Sequence, residues 1–176
     1  MAEPTTPLPD IDLVAAAERP MLEGFLAYFR VVFLRKAEGI TEEEARRATC
    51  PPSDLTILGL VRHMAEVERI WAKWLFEGGA NEPLFYGSAH PDDDPDGDFH
   101  PPADATLADA LVAYRREVAD ADEIYAAGDL DQLLANTHRD EKNSLRWIYV
   151  HLIEEYARHC GHADLIRQAI DGVTDD

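Results

Sequence analysis

Apolar residues recur at intervals of three and four through four long stretches of this chain, and no stretch alternates for long enough to argue for a sheet. That period restricts the fold to helices that bury one stripe each, so the expected class is all-α, a four-helix bundle with long connections. The first helix begins near Glu18-Arg19-Pro20, where proline suits the opening turn, and ends before Gly39; its stripe is Leu22, Phe25, Leu26, Phe29, Val32 and Phe33. Thr41 followed by Glu44 is a capping-box pattern that opens a short connecting helix. The second long helix runs from about Asp54, after Pro51-Pro52-Ser53, to Phe76. Its inward residues are Ile57, Leu60, Val61, Met64, Val67, Trp71 and Trp74, and Gly78-Gly79 ends it. The third spans Thr106 to about Ala127 on Leu107, Leu111, Tyr114, Val118, Ala121 and Tyr125. The fourth follows Asn143-Ser144 and carries Leu145, Ile148, Leu152, Tyr156, Ala163, Ile166 and Ile170 before Gly172.

At 176 residues the chain suits one domain, with residues 1–17 as a flexible N-terminal segment. A net charge of -19 repels phosphate backbones and anionic lipid, so nucleic-acid and membrane-surface partners are not expected. No run approaches the roughly 20 apolar residues of a membrane-spanning helix, and the N-terminal residues have no signal-peptide pattern. Two isolated cysteines, Cys50 and Cys160, suit a reduced protein. The expected location is cytoplasmic and the expected partner is a small molecule. The segment from Gly78 to Pro102 lacks a period, holds several prolines and the run Asp92-Asp93-Asp94-Pro95-Asp96-Gly97-Asp98, and reads as a long acidic surface loop. Asp92, Asp94 and Asp96 match the start of a calcium loop, but Ala103 stands where the bidentate Glu belongs.

Chemistry concentrates in the fourth helix. Glu155 and His159 stand four residues apart, so one turn projects a carboxylate and an imidazole side by side, which is metal-ligand spacing. His63, set among apolar residues of the second helix, is a candidate third ligand. Two His and one Glu leave a coordination position open for water or substrate. The bland alternatives are a satisfied core histidine at His63 and a surface ion pair at Glu155 and His159. His162 shares the face of His159 as an outer-sphere group or substitute ligand, and His151 is a weaker candidate on the same face. His90, His100 and His138 fall in connections, where solvated histidine is expected. Arg62, Arg146 and Arg158 are the nearest cations. They are read as helix-surface groups with a secondary role in holding a substrate carboxylate. Trp71, Trp74 and Trp147 lie on or beside apolar stripes and are expected in the core.

Three segments carry a family resemblance: Gly39-Ile40-Thr41-Glu42-Glu43-Glu44; Leu58-Gly59-Leu60-Val61-Arg62-His63-Met64 through Trp71; and Leu145-Arg146-Trp147 through Glu154-Glu155-Tyr156-Ala157-Arg158-His159-Cys160-Gly161-His162. In these the chain resembles the DinB/YfiT-like superfamily of metalloenzymes, and most nearly its actinobacterial DUF664 branch. The resemblance implies a four-helix bundle in which His63, Glu155 and His159 hold one divalent metal. Many members have His where this chain has Glu155, whereas the mycothiol-dependent maleylpyruvate isomerases are similar in using Glu. Cys160 stands where relatives often carry Asn. The resemblance also implies a thiol-dependent S-transferase or isomerase using a low-molecular-weight thiol such as mycothiol, and relatives that are often dimeric. Zinc is the expected ion, while the mixed N/O donors also suit nickel, iron or manganese. A metal-dependent hydrolase and a non-enzymatic stress protein that binds a metal or small ligand remain the alternatives.

Overall fold

The structure, a computed structural model, describes residues 6–9 and 16–174, so most of the N-terminal segment expected to be flexible lies outside the described residues. Among those described there is no β-strand, and the all-α expectation holds. The helices are α1 (Glu18–Arg35), α2 (Glu42–Ala45), α3 (Ile57–Arg69), α4 (Leu107–Ala127) and α5 (Leu145–Asp171). The chain divides into two compact units, one formed by the residues up to Ile57 with those from Tyr149 onward, the other by Leu58–Ile148.

In the first unit the core gathers around Leu26 and Phe33 of α1 and Tyr156, Cys160, Ala163 and Ile166 of α5. Phe33 and Tyr156 meet edge to face at 5.8 Å, an arrangement that aromatic quadrupoles favour. Phe25, expected inward, is 39% exposed, so the buried stripe of α1 is narrower than its apolar pattern. Arg167 of α5 donates to the Lys36 carbonyl at 2.8 Å and satisfies a backbone acceptor left over just past the end of α1. At α2 the capping box forms as expected: the Glu44 amide donates to Thr41 Oγ1, and the Thr41 amide to Glu44 Oε2 at 2.8 Å.

In the second unit α3 begins three residues later than the sequence suggests and is not α-helical to its end. Residues Ile70–Phe76 form a π-helical segment in which Trp71, Ala72, Leu75 and Phe76 are buried. The inserted register turns adjacent pairs inward, leaving Trp74 half-buried. Gly78 ends the segment with φ +89, a left-handed conformation that glycine tolerates. Thr106 caps α4 by accepting from the Asp109 amide at 3.0 Å, and α4 packs on the π-helical segment, with Phe76 and Tyr125 edge to face at 5.8 Å. Between α4 and α5, His138 and Glu141 exchange both backbone hydrogen bonds across Arg139 and Asp140, whose positive φ values make a tight two-residue turn.

Candidate functional site

On α5 the buried positions Leu152, Tyr156 and Ala163 fix one face of the helix against the core of its unit. Glu155 and His159 fall beside that face, with side chains 15% and 7% exposed. His159 Nε2 lies 3.4 Å from Glu155 Oε2, and its other nitrogen, Nδ1, faces His162 Nδ1 at 3.3 Å. One turn earlier, His151 Nε2 lies 3.6 Å from Glu155 Oε1 and its Nδ1 equally far from Glu154. A single face of α5 thus brings together Glu155, His159, His162 and His151. His151, Glu154 and Glu155 also form a group with ligand atoms within 4.8 Å of one another. Arg158 reaches from the exposed side, pairing with Glu154 and standing 3.5 Å from Glu155 Oε1.

On α3 the side chain of His63 is 18% exposed, and its Nδ1 lies 2.8 Å from Asp98 Oδ2. The imidazole stacks on Phe99 at 4.2 Å. Asp98 and Phe99 belong to the acidic connection, and here the sequence reading needs correction. The loop was expected to lie on the surface, yet Gly97 and Asp98 are buried against α3. Arg62, expected on a helix surface, is buried as well. Its guanidinium donates to the carbonyls of Asp98 and Gly97 at 3.2 and 2.9 Å and sits 4.1 Å over the Phe85 ring. One turn along, buried Glu66 accepts from the amides of Leu84 and Phe85 at 2.7 and 2.5 Å. The α3 positions that face this loop are therefore occupied by Arg62 and Glu66, each hydrogen-bonded to backbone groups of the loop.

His90 is not solvated either. It is buried, with Nε2 3.0 Å from the His100 carbonyl and Nδ1 accepting from the Asp92 amide. His100 is the solvated one of the pair and bonds Asp94 at 2.7 Å. His138 is half-buried beside Trp71, and burial holds its pKa below the ordinary histidine value. Trp147 leans on Trp71 at 5.3 Å but is 39% exposed, so it is not core. Arg146 pairs with Asp131 at the start of α5. Cys160 is buried, with its thiol directed to the Phe29 carbonyl.

Asp98 and Glu66 are the residues the sequence reading missed. Each is one acid among 35 Asp and Glu, and the signal for Glu66 was its place on the apolar stripe, three residues from His63 and from Arg69. Asp98 gave none, because a connection without a period does not say which of its acids turns inward. In chemical terms, α5 offers a carboxylate and imidazoles a turn apart in a largely desolvated setting. The helix α3 offers an imidazole already engaged through Nδ1 by a carboxylate of the loop. Both arrangements suit nitrogen and oxygen ligation of a divalent cation.

The family model described as mycothiol-S-transferase matches residues 21–172, which bears out the resemblance to the DinB/YfiT-like superfamily. No curated protein matches the chain.

Proposed function

Because the chain belongs to the mycothiol-S-transferase family, we propose that it is a metal-dependent transferase that joins a low-molecular-weight thiol, mycothiol in the first instance, to a small electrophile. The observation that carries this reading is the pairing of Glu155 with His159 on the desolvated face of α5. We propose that His63 joins them in a donor set of two imidazoles and one carboxylate that would hold a divalent cation. Zinc is the ion proposed, with nickel, iron and manganese suited to the same donors.

Such a cation, when bound, lowers the pKa of a ligated thiol and supplies thiolate near neutral pH. The transfer itself passes the thiol proton to water, forms a bond from sulfur to the electrophilic carbon, and releases the leaving group with its bonding pair. Glu155 contributes negative charge to the ligand set and is itself oriented by Arg158 and His151. Because Arg158 is half exposed, it is the arginine best placed to meet a carboxylate borne by an incoming substrate. No helix among the described residues is long and apolar enough to cross a membrane, in keeping with a small-molecule substrate taken from water.

The test is elemental analysis of dialysed wild type beside His159→Ala, followed by thiol-consumption assays with mycothiol and with ester substrates in the absence of thiol. About one equivalent of transition metal in the wild type, little in the variant and turnover only with thiol support the reading. Ester turnover without thiol redirects it to hydrolysis. No metal after reconstitution with zinc, nickel and manganese removes it.

A further inference from the structure

Of the acids in the run from Asp92 to Asp98, only Asp98 is buried; the others are exposed or, for Asp94, bonded to His100. We propose that Asp98 is a positioning residue that holds His63 in the Nδ1-protonated tautomer, so that Nε2 carries the lone pair offered to a divalent cation. This inference rests on the metal-site reading above.

The argument starts from donor and acceptor roles. An ionised carboxylate can only accept, so the nitrogen facing it at 2.8 Å is the one that carries the proton. A neutral imidazole has a single N–H, which leaves the lone pair on Nε2. Stacking on Phe99, with the two rings within 24° of parallel, opposes rotation of the imidazole out of that geometry. Asp98 is in turn fixed by the helix that bears His63. Arg62, its chain neighbour, donates to the carbonyls of Gly97 and Asp98. Glu66 holds the earlier part of the loop through the Leu84 and Phe85 amides. At Gly97 the fit excludes a side chain, since a Cβ there meets the His90 ring at 2.6 Å and the Phe85 carbonyl at 2.7 Å. One helix thus anchors the loop at two places, and the loop returns a carboxylate to the imidazole between them. Carboxylate–imidazole contacts of this kind set ligand tautomer and basicity in metal centres.

The experiment uses the full-length, metal-free chain labelled with 15N. Long-range 1H–15N correlation at about pH 8, where the imidazoles are largely neutral, reads the protonated nitrogen of each ring, and His63 is assigned by its loss in His63→Gln. Zinc affinity is measured alongside by chelator competition. The expected result is a single Nδ1–H tautomer at His63 in the wild type. In Asp98→Asn, whose amide can present either donor or acceptor, the expected result is a mixed tautomer and zinc affinity weakened about 10- to 100-fold. Asp94→Asn, which removes a charge from the same loop, should match the wild type in both readouts. A wild-type His63 protonated at Nε2 overturns the inference without any variant, and so does Asp98→Asn with the wild-type tautomer and affinity. A wild type that binds no zinc sinks the metal-site reading by itself, while the tautomer in Asp98→Asn still decides whether Asp98 orients His63.

Discussion

Glu66 Oε1 accepts the Phe85 amide hydrogen at 2.5 Å, while the other oxygen of the same carboxylate, Oε2, is buried with no hydrogen-bond partner among the described residues. Burial pushes this carboxyl up to about 7 from 4.5, and the amide hydrogen bonds from Phe85 and Leu84 oppose the shift without cancelling it. A raised acid pKa means that the folded state holds a proton which the unfolded chain has released. The contribution of Glu66 is therefore full below about pH 4.5 and is lost as pH rises through about 7. Urea unfolding of the wild type and of Glu66→Gln across this window should show the difference in stability swinging toward the variant as pH rises. Parallel profiles would mean that Glu66 does not titrate in the window.

Gly97 has no room for a methyl group. With the His90 ring and the Phe85 carbonyl both under 3 Å from a built Cβ, Gly97→Ala should cost about 1–3 kcal/mol as the loop shifts to relieve the overlap. Thermal unfolding of the variant measures the cost, and an unchanged midpoint would show that the loop packs less closely than described.

The carboxylate of Glu117, 2% exposed, receives Lys73 at 2.6 Å and Arg69 at 3.2 Å, joining α4 to the end of α3 and to the π-helical segment. Removing it takes from both cations their one buried partner and leaves Lys73 with Asp120 and Arg69 with Glu82, both at the surface. Glu117→Ala should therefore destabilise by about 1–3 kcal/mol, whereas the exposed Glu123→Ala on the same helix should be nearly neutral. Equal effects of the two substitutions in denaturant titrations would argue that the cluster is solvated.

If His63, Glu155 and His159 hold a cation in the folded protein alone, adding that cation at about 100 times its dissociation constant should raise stability by about 2.7 kcal/mol. Melting curves with and without zinc should separate for the wild type and coincide for Glu155→Gln and His159→Ala. The same upward shift in all three proteins would place the bound zinc elsewhere.

Much of this protein was legible without coordinates because it depends on neighbours in sequence. The cap at Thr41, the ends at Gly78 and Gly172, and the placement of Glu155 with His159 one turn apart all follow from local helix signals. The π-helical register of Ile70–Phe76 was not legible, because it responds to which side chains can be buried together, and both registers suit the same residues. Nor did the sequence distinguish Asp98 from the other acids of its loop or bring Arg62, Glu66 and His90 out of solvent. For Glu66 and Arg62 the outcome depends on contacts 19 and 36 positions apart, with Phe85 and with Asp98. Local periodicity decided which helices form and which side chains lie a turn apart on α5. Only tertiary structure decided which charged groups are desolvated and what holds them, because that depends on where an aperiodic loop finds hydrogen-bond partners for its backbone.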